Sequence, residues 1–360
     1  MAYNWGMKLA LQFAIGVVLA LPALAGEVHV VALDGTGDFS KVQDAVDFAS
    51  DGDTIVVEGG TYSWTFGSGG GSALISGKGL DIVSGTGDPR LTGTIEVRDL
   101  GPGQDVRIAG LTANIVIVRD CAGDVLLEGL NLAFGWSCRL SVLSSQNVCV
   151  TDSLLLGGGG DPGRDAVTVI GSKVRFFGCT MAGGDGDDGT SFPCGIGYDG
   201  GDGLVVVGST SLVRYSNCTF SGGWGGWGCP SGIPGVPIDA PSGTVVQLAV
   251  PVTRLTGPPR AVGGTSVDLE VTGPPGSSPL LITTTDLATV DLPLSVGTLH
   301  MTWPFVIEPL PPIPPGGVLT HSLAVPTPPV GQARLRIMQV VFKTPTKRFL
   351  SQPLGLTVVH

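Results

Sequence analysis

The sequence predicts an all-β protein: a parallel β-helix with three short strands per coil, followed by a small β-sandwich. Three observations predict it. Gly (58) and Pro (27) together approach a quarter of the 360 residues, which breaks up long helices. Five segments of the first half align as copies of one short motif. The last third is a series of short apolar runs separated by Gly and Pro. Hydrophobic residues at 42% and charged residues at 14% supply enough apolar surface for a packed core and exclude a disordered acidic chain.

Residues 1–25 read as a secretory signal. Lys8 precedes an apolar run over residues 9–21, then Pro22 and Ala23-Leu24-Ala25, a small-residue cleavage pattern. That run is shorter than the roughly 20 residues a spanning helix needs. The expected mature chain, 26–360, has no membrane span and is secreted, or held at the cell surface or in a periplasm. Loss of Lys8 takes the net charge from −11 to −12. Such an acidic chain repels phosphate backbones, so nucleic acid is excluded as a partner. Seven cysteines in an exported chain permit disulfides, and the odd count leaves one thiol over.

The domain boundaries follow from charge and punctuation. Residues 26–240 carry 11 Lys/Arg against 25 Asp/Glu, residues 245–360 carry 7 against 5, and 18 of the 27 prolines fall in the second stretch. The run GIPGVPIDAPSG (232–243) reads as the linker. Near the start, Ser40 and Gln43 have capping-box spacing, and Val42, Ala45, Val46 and Ala49 follow helical periodicity. The short helix they predict covers the open end of the coil, whose unpaired edge is otherwise an aggregation hazard. A strand at residues 54–57 and Gly59-Gly60-Thr61-Tyr62 follow.

The repeat copies are VRIAGLTA from Val106, VLLEGLNL from Val125, VCVTDSLL from Val148, VRFFGCTM from Val174 and VRYSNCTF from Val213. Each reads as a strand, a turn residue, and a second strand. The turn residues are Gly110, Gly129, Asp152, Gly178 and Asn217, types that tolerate positive φ. A third strand lies upstream of the later copies: IVIV from Ile115, LSVL from Leu140, VTVI from Val167 and VVVG from Val205. No unit of this size buries its apolar face alone, but stacked coils do. Inward ladders are then Leu127, Val150, Phe176, Tyr215 and Leu130, Ser153, Cys179, Cys218, with Cys179 and Cys218 read as packed thiols rather than a disulfide.

The run DGTGDFSKVQDAVDFASDGDTIVVEGGTY (34–62) resembles the opening of right-handed parallel β-helix proteins of the pectin lyase-like superfamily, especially the pectin methylesterases. The likeness is close over about 30 residues and looser to about residue 225. It implies a right-handed coil. In that superfamily the site usually lies on the outer face of the first parallel sheet, where the outward positions read here as Val116, Ser141, Thr168 and Val206. None of these is ionisable. The aspartate pair and arginine that mark the esterases are not found, nor the histidine and R-x-K of the polygalacturonase-like hydrolases; the only histidine before residue 240 is His29.

Candidate chemistry is therefore read from other residues. Arg175 and Arg214 fall in one outward register on adjacent coils, about 4.8 Å apart, and could bind a uronate carboxylate or pair with local acids. Three loops after the third strand (157–165, 183–203 and 222–232) are expected to be neighbours. They offer Asp161, Asp165, Asp185 and Asp188 as an acid and base for glycoside hydrolysis. Asp185, Asp187, Asp188, Asp199 and Asp202 are alternatively ligands for Ca²⁺, the one cofactor suggested, or simply a solvated face. Tyr198, Trp224 and Trp227 are candidates to stack on sugar; the tryptophans alternatively fold over the end of the coil as a lid. Cys194 and Cys229, in adjacent loops, are the expected disulfide.

Residues 245–360 give about eight strand-like runs, the pattern of a β-sandwich accessory domain. Two function classes follow. One is a protein that binds, or binds and processes by hydrolysis or elimination, an extracellular polysaccharide or cell-surface glycan. The other is a non-catalytic structural or adhesion protein of the cell exterior.

Overall fold

A computed structural model describes residues 26–63, 71–133, 135, 137–189, 195–248, 253–285, 287–291, 298–301, 304–343 and 348–360. Residues 1–25, read above as a signal, and Cys194 lie outside the described residues.

The first domain is a parallel β-helix of three faces. The first face is a nine-stranded sheet running Val28–Val31, Thr54–Val57, Leu80–Ser84, Val106–Ala109, Asp124–Glu128, Asn147–Thr151, Lys173–Phe177, Leu212–Ser216 and Thr244–Gln247, every neighbouring pair parallel. The second and third faces form one twelve-stranded sheet, because Pro89–Arg98 and Thr112–Arg119 run unbroken through the corner between them. Parallel crossovers of this kind wind right-handed.

The repeat is in the expected register. Val106, Val125, Val148, Val174 and Val213 are successive partners on the first face. Gly110, Gly129, Asp152, Gly178 and Asn217 all have positive φ, between 49° and 71°, turning the chain into the second face. Leu127, Val150 and Phe176 are fully buried in the continuous core. Cys179 and Cys218 are free thiols.

The third face differs from the expectation by one residue at both ends of the ladder. Val116 and Val206 are buried; the outward ladder is Ile117, Ser141, Thr168 and Val205. Runs such as IVIV and LVVV are apolar at every position, so a period of two gives them no phase.

At the start, the helix Val42–Phe48 caps the coil through Val42, Ala45 and Val46. The capping box does not form: Lys41 is the N-cap, without a side-chain bond, and Gln43 instead exchanges hydrogen bonds with the Leu74 backbone. The stretch 232–243 is not a linker. Ile238–Asp239 and Thr244–Gln247 pair with Leu204–Val207 and Leu212–Ser216, so the coil continues to Gln247.

The second domain is a sandwich. A three-stranded antiparallel sheet (Arg254–Thr256, Ser266–Thr272, Val318–Ala324) faces a six-stranded one built around Ala333–Lys343. Leu255, Leu269 and Val271 meet Leu281, Val340, Phe342 and Leu356 across its core. The sandwich lies on the first face of the coil. Leu126 and Cys149 pack on Ile282, Leu287, Met301 and Ile337, and Val56, Val83 and Ala109 on Ala333 and Val359. Each such burial stabilises by about 1.5–3 kcal/mol for a large aliphatic side chain. Arg107, 1% exposed, lies in the same interface, bonded to Asp81 and Glu128 of the coil and to Thr357 and Gly355 of the sandwich.

Candidate functional site: a glycine-rich bundle and the groove beside it

The loops leaving the second face are ordered against one another. Residues 157–163, 183–189 and 222–228 run outward side by side, and 195–203 and 230–237 return beneath them. Hydrogen bonds between them recur every third residue: Gly183, Gly186 and Gly189 donate to Ser221, Trp224 and Trp227, and Gly197, Gly200 and Gly203 to Pro230, Ile233 and Val236. A three-residue period with bonds only to neighbours is that of polyproline II segments packed in a bundle. Such packing leaves no room for side chains where segments touch. A Cβ on Gly226 would lie 1.9 Å from the Asp187 carbonyl oxygen, and one on Gly232 as close to that of Tyr198.

The aspartates of these loops share one structural role. Asp185 accepts the Trp224 backbone N–H at 2.7 Å while the next amide, Gly186, donates to the Trp224 carbonyl at 2.8 Å. Asp188 and Gly189 hold Trp227 in the same way, Asp199 and Gly200 hold Ile233, and Asp202 and Gly203 hold Val236. Asp165 and Ala166 hold Asp202. Each Asp-Gly step therefore clamps one residue of the next layer. The signal was present in the sequence as Asp-Gly steps three apart (185, 188 and 199, 202) opposite bulky residues three apart (224, 227 and 233, 236).

This accounts for the expected site residues. Four of the five Ca²⁺ candidates, Asp185, Asp188, Asp199 and Asp202, bond backbone amides; Asp187 is exposed. Among the described residues no three Asp, Glu, His or Cys side chains converge as a cation site. The four catalytic candidates stand in different surroundings. Asp161 accepts a hydrogen bond from the Tyr198 hydroxyl, which, with the charges of Asp161 and Asp187, raises the phenol above its ordinary range. Asp185 and Asp188 occupy the one position in three that faces away from the returning segments, since Gly183 and Gly186 face those segments and Gly184 faces residues 157–158.

Asp165 alone lines a groove. The groove, about 660 Å³, lies between the third face and the bundle, with Arg139, Ser141 and Thr168 on its floor and Arg164, Asp165 and Asp199 on its wall. Burial holds the Asp165 carboxyl above the usual range, and the charges of Asp202 and Asp239 add to this against the lowering effect of the Asp202 amide. Guanidiniums, hydroxyls and backbone amides suit a polyhydroxylated ligand; the acid–base groups of the described lining are the carboxyls of Asp165 and Asp199, with no histidine or thiol beside them.

Arg175 and Arg214 are direct partners on adjacent strands, as expected. Arg175, however, is 5% exposed and donates to Thr298 Oγ1 of the sandwich at 3.1 Å, so this register faces the domain interface rather than an open surface. The signal missed was apolar: Val56, Val83, Ala109, Leu126 and Cys149 stand at outward positions of the same face, and strands apolar on both sides are covered on both. Trp224 and Trp227 are 76% and 82% exposed and form no lid. Cys194, partner of Cys229 in the expected disulfide, lies outside the described residues.

Fold and site together define an all-β parallel-helix protein carrying a glycine-rich side bundle and a polar groove. No family model matches the chain, and no curated protein matches it.

Proposed function

We propose that this chain is an exported protein that binds an extracellular polysaccharide or cell-surface glycan, and that it does so without cutting it and without Ca²⁺. The observation that carries this reading is the open groove on the third face, walled by a bundle that its own Asp-Gly clamps hold rigid. A preformed cleft lined by hydroxyls, two guanidiniums and backbone amides offers hydrogen bonds to sugar hydroxyls at little ordering cost. Engagement of Asp185, Asp188, Asp199 and Asp202 by backbone amides argues against cation binding by these carboxylates. The signal-like segment 1–25 supports export, and the resemblance of residues 34–62 supports placement in the pectin lyase-like superfamily. The disulfide between Cys194 and Cys229 belongs to the same reading: the Cys229 amide donates to the carbonyl of Gly195, next to Cys194, at 2.7 Å.

A glycan array with and without a chelator tests it, followed by assays for new reducing and unsaturated ends on each hit. Binding that survives the chelator, weakens in R139A and R164A, and leaves no new ends is the expected result. New ends return the protein to the enzymes. An array without hits favours the non-catalytic structural or adhesion class, for which the covered first face and rigid bundle are equally suited.

A further inference from the structure

The last layer of the bundle presents two flat aromatic side chains in a fixed relation. In the segment 222–228, Gly222 and Gly225 face the returning residues 232–236, and Gly223 and Gly226 face residues 184–187. The remaining positions, Trp224 and Trp227, point into solvent. Their backbones are held on both sides, N–H by Asp185 and Asp188 and carbonyl by Gly186 and Gly189. One polyproline II turn separates them, about 9 Å. Glycine on either side leaves the rings standing clear of any side chain in their own segment.

We infer that Trp224 and Trp227 form a stacking platform for the extended chain of a neutral, β-linked polysaccharide. This inference rests on the glycan-binding reading and names the ligand class and the residues. Apolar faces of sugar rings stack on flat aromatics. In an extended β-1,4 chain alternate rings present the same face, and one turn of the segment matches that two-sugar repeat. Asp185 and Asp188 are exposed on the same flank as acceptors for sugar hydroxyls. With Asp187 they make that flank acidic, and this selects against uronates, whose carboxylates would meet like charge. The platform is separate from the groove, none of whose described lining residues belongs to it.

The test uses the mature chain with neutral β-1,4 hexasaccharides of glucose, xylose, mannose and N-acetylglucosamine, and with hexagalacturonate, by calorimetry and tryptophan fluorescence. At least one neutral hexasaccharide binds with a change in fluorescence, W224A and W227A each weaken it about tenfold or more, and hexagalacturonate binds more weakly. Because both rings are largely exposed, the variants keep the fold, which circular dichroism checks. If no neutral hexasaccharide binds, or binding is unchanged in the double variant, the platform assignment fails; array hits that still depend on Arg139 and Arg164 would leave the wider reading standing. Preferential binding of hexagalacturonate overturns the neutral assignment. A self-associated wild type that becomes monomeric in W227A, with no sugar effect, overturns the platform in favour of a contact between copies.

Discussion

Arg107 lies so close beneath Gly355 that a Cβ at position 355 would sit 2.1 Å from Arg107 Nε. The guanidinium donates to Glu128 at 2.6 Å and Asp81 at 3.0 Å, and the Gly355 amide donates to the same Glu128 at 2.8 Å. Coil and sandwich are thus joined through one buried ionic cluster. Removing one partner from such a cluster leaves uncompensated charge in a dry interface, so Arg107→Ala is expected to cost about 3–5 kcal/mol. Gly355→Ala, which deletes no polar group, is expected to part the domains by steric conflict alone. Denaturant unfolding followed by separate coil and sandwich probes checks both; unchanged midpoints would refute the lock.

The stability of the coil should depend on pH through Asp165. Burial raises the Asp165 carboxyl, so the folded chain holds that proton more tightly than the unfolded chain does. The associated stability is present below about pH 4, the ordinary carboxylate value, and is lost as pH rises through the folded value. Asp165→Asn keeps an acceptor for the Asp202 amide but never ionises. The variant should therefore match the wild type at low pH and exceed it at pH 7. A difference that is constant with pH, or largest in acid, would contradict the assignment.

What the sequence revealed depended on whether side-chain alternation carried phase. The first face was legible because each copy alternates and ends on a residue that needs positive φ, as Asp152 and Asn217 do. The third face was displaced by one residue where Val and Ile fill both sides of a strand. The domain interface was hidden because Arg107 and Arg175, ordinarily solvent-facing types, stand among the apolar residues that mark a covered face. In the bundle the three-residue period was visible in GGDGDDG and GGWGGWG, yet without the partner segment an aspartate that clamps an amide reads like a cation ligand.

The bundle makes its own prediction. Gly226→Ala places a Cβ 1.9 Å from the Asp187 carbonyl oxygen, whereas one on Gly316 meets nothing within 4 Å. Overpacking of this kind costs about 1–3 kcal/mol or more. Limited proteolysis should open residues 183–237 in Gly226→Ala and leave Gly316→Ala like the wild type. Equal resistance would mean that the segments are not packed through glycine.

The thiols separate by environment. Cys121, Cys149 and Cys179 are buried, and desolvation raises each of them, so little thiolate is available for reaction. In the folded protein a thiol reagent at pH 8 should leave these three unmodified, and denaturation should release all five free thiols, including Cys138 and Cys218. A non-reducing peptide map should recover Cys194 linked to Cys229. Alkylation of Cys229 without reduction would remove that disulfide from the description.

Asp188 offers the sharpest test of the clamp, because its effect is confined to one amide. Its carboxylate accepts the Trp227 N–H at 2.7 Å, while the Gly189 amide bonds the Trp227 carbonyl independently. Asp188→Ala removes the first bond and keeps the second. A hydrogen bond to a charged group is worth about 1.5–3 kcal/mol when sheltered. At this exposed position about 1 kcal/mol is expected, enough to speed exchange of the Trp227 amide roughly fivefold. Asp188→Asn, which retains a carbonyl acceptor, should recover most of the protection. Asp187→Ala, in the neighbouring position but outside the clamps, should leave Trp227 exchange as it is. If Asp187→Ala accelerates exchange as much as Asp188→Ala, the protection comes from the charge of the loop rather than from the clamp.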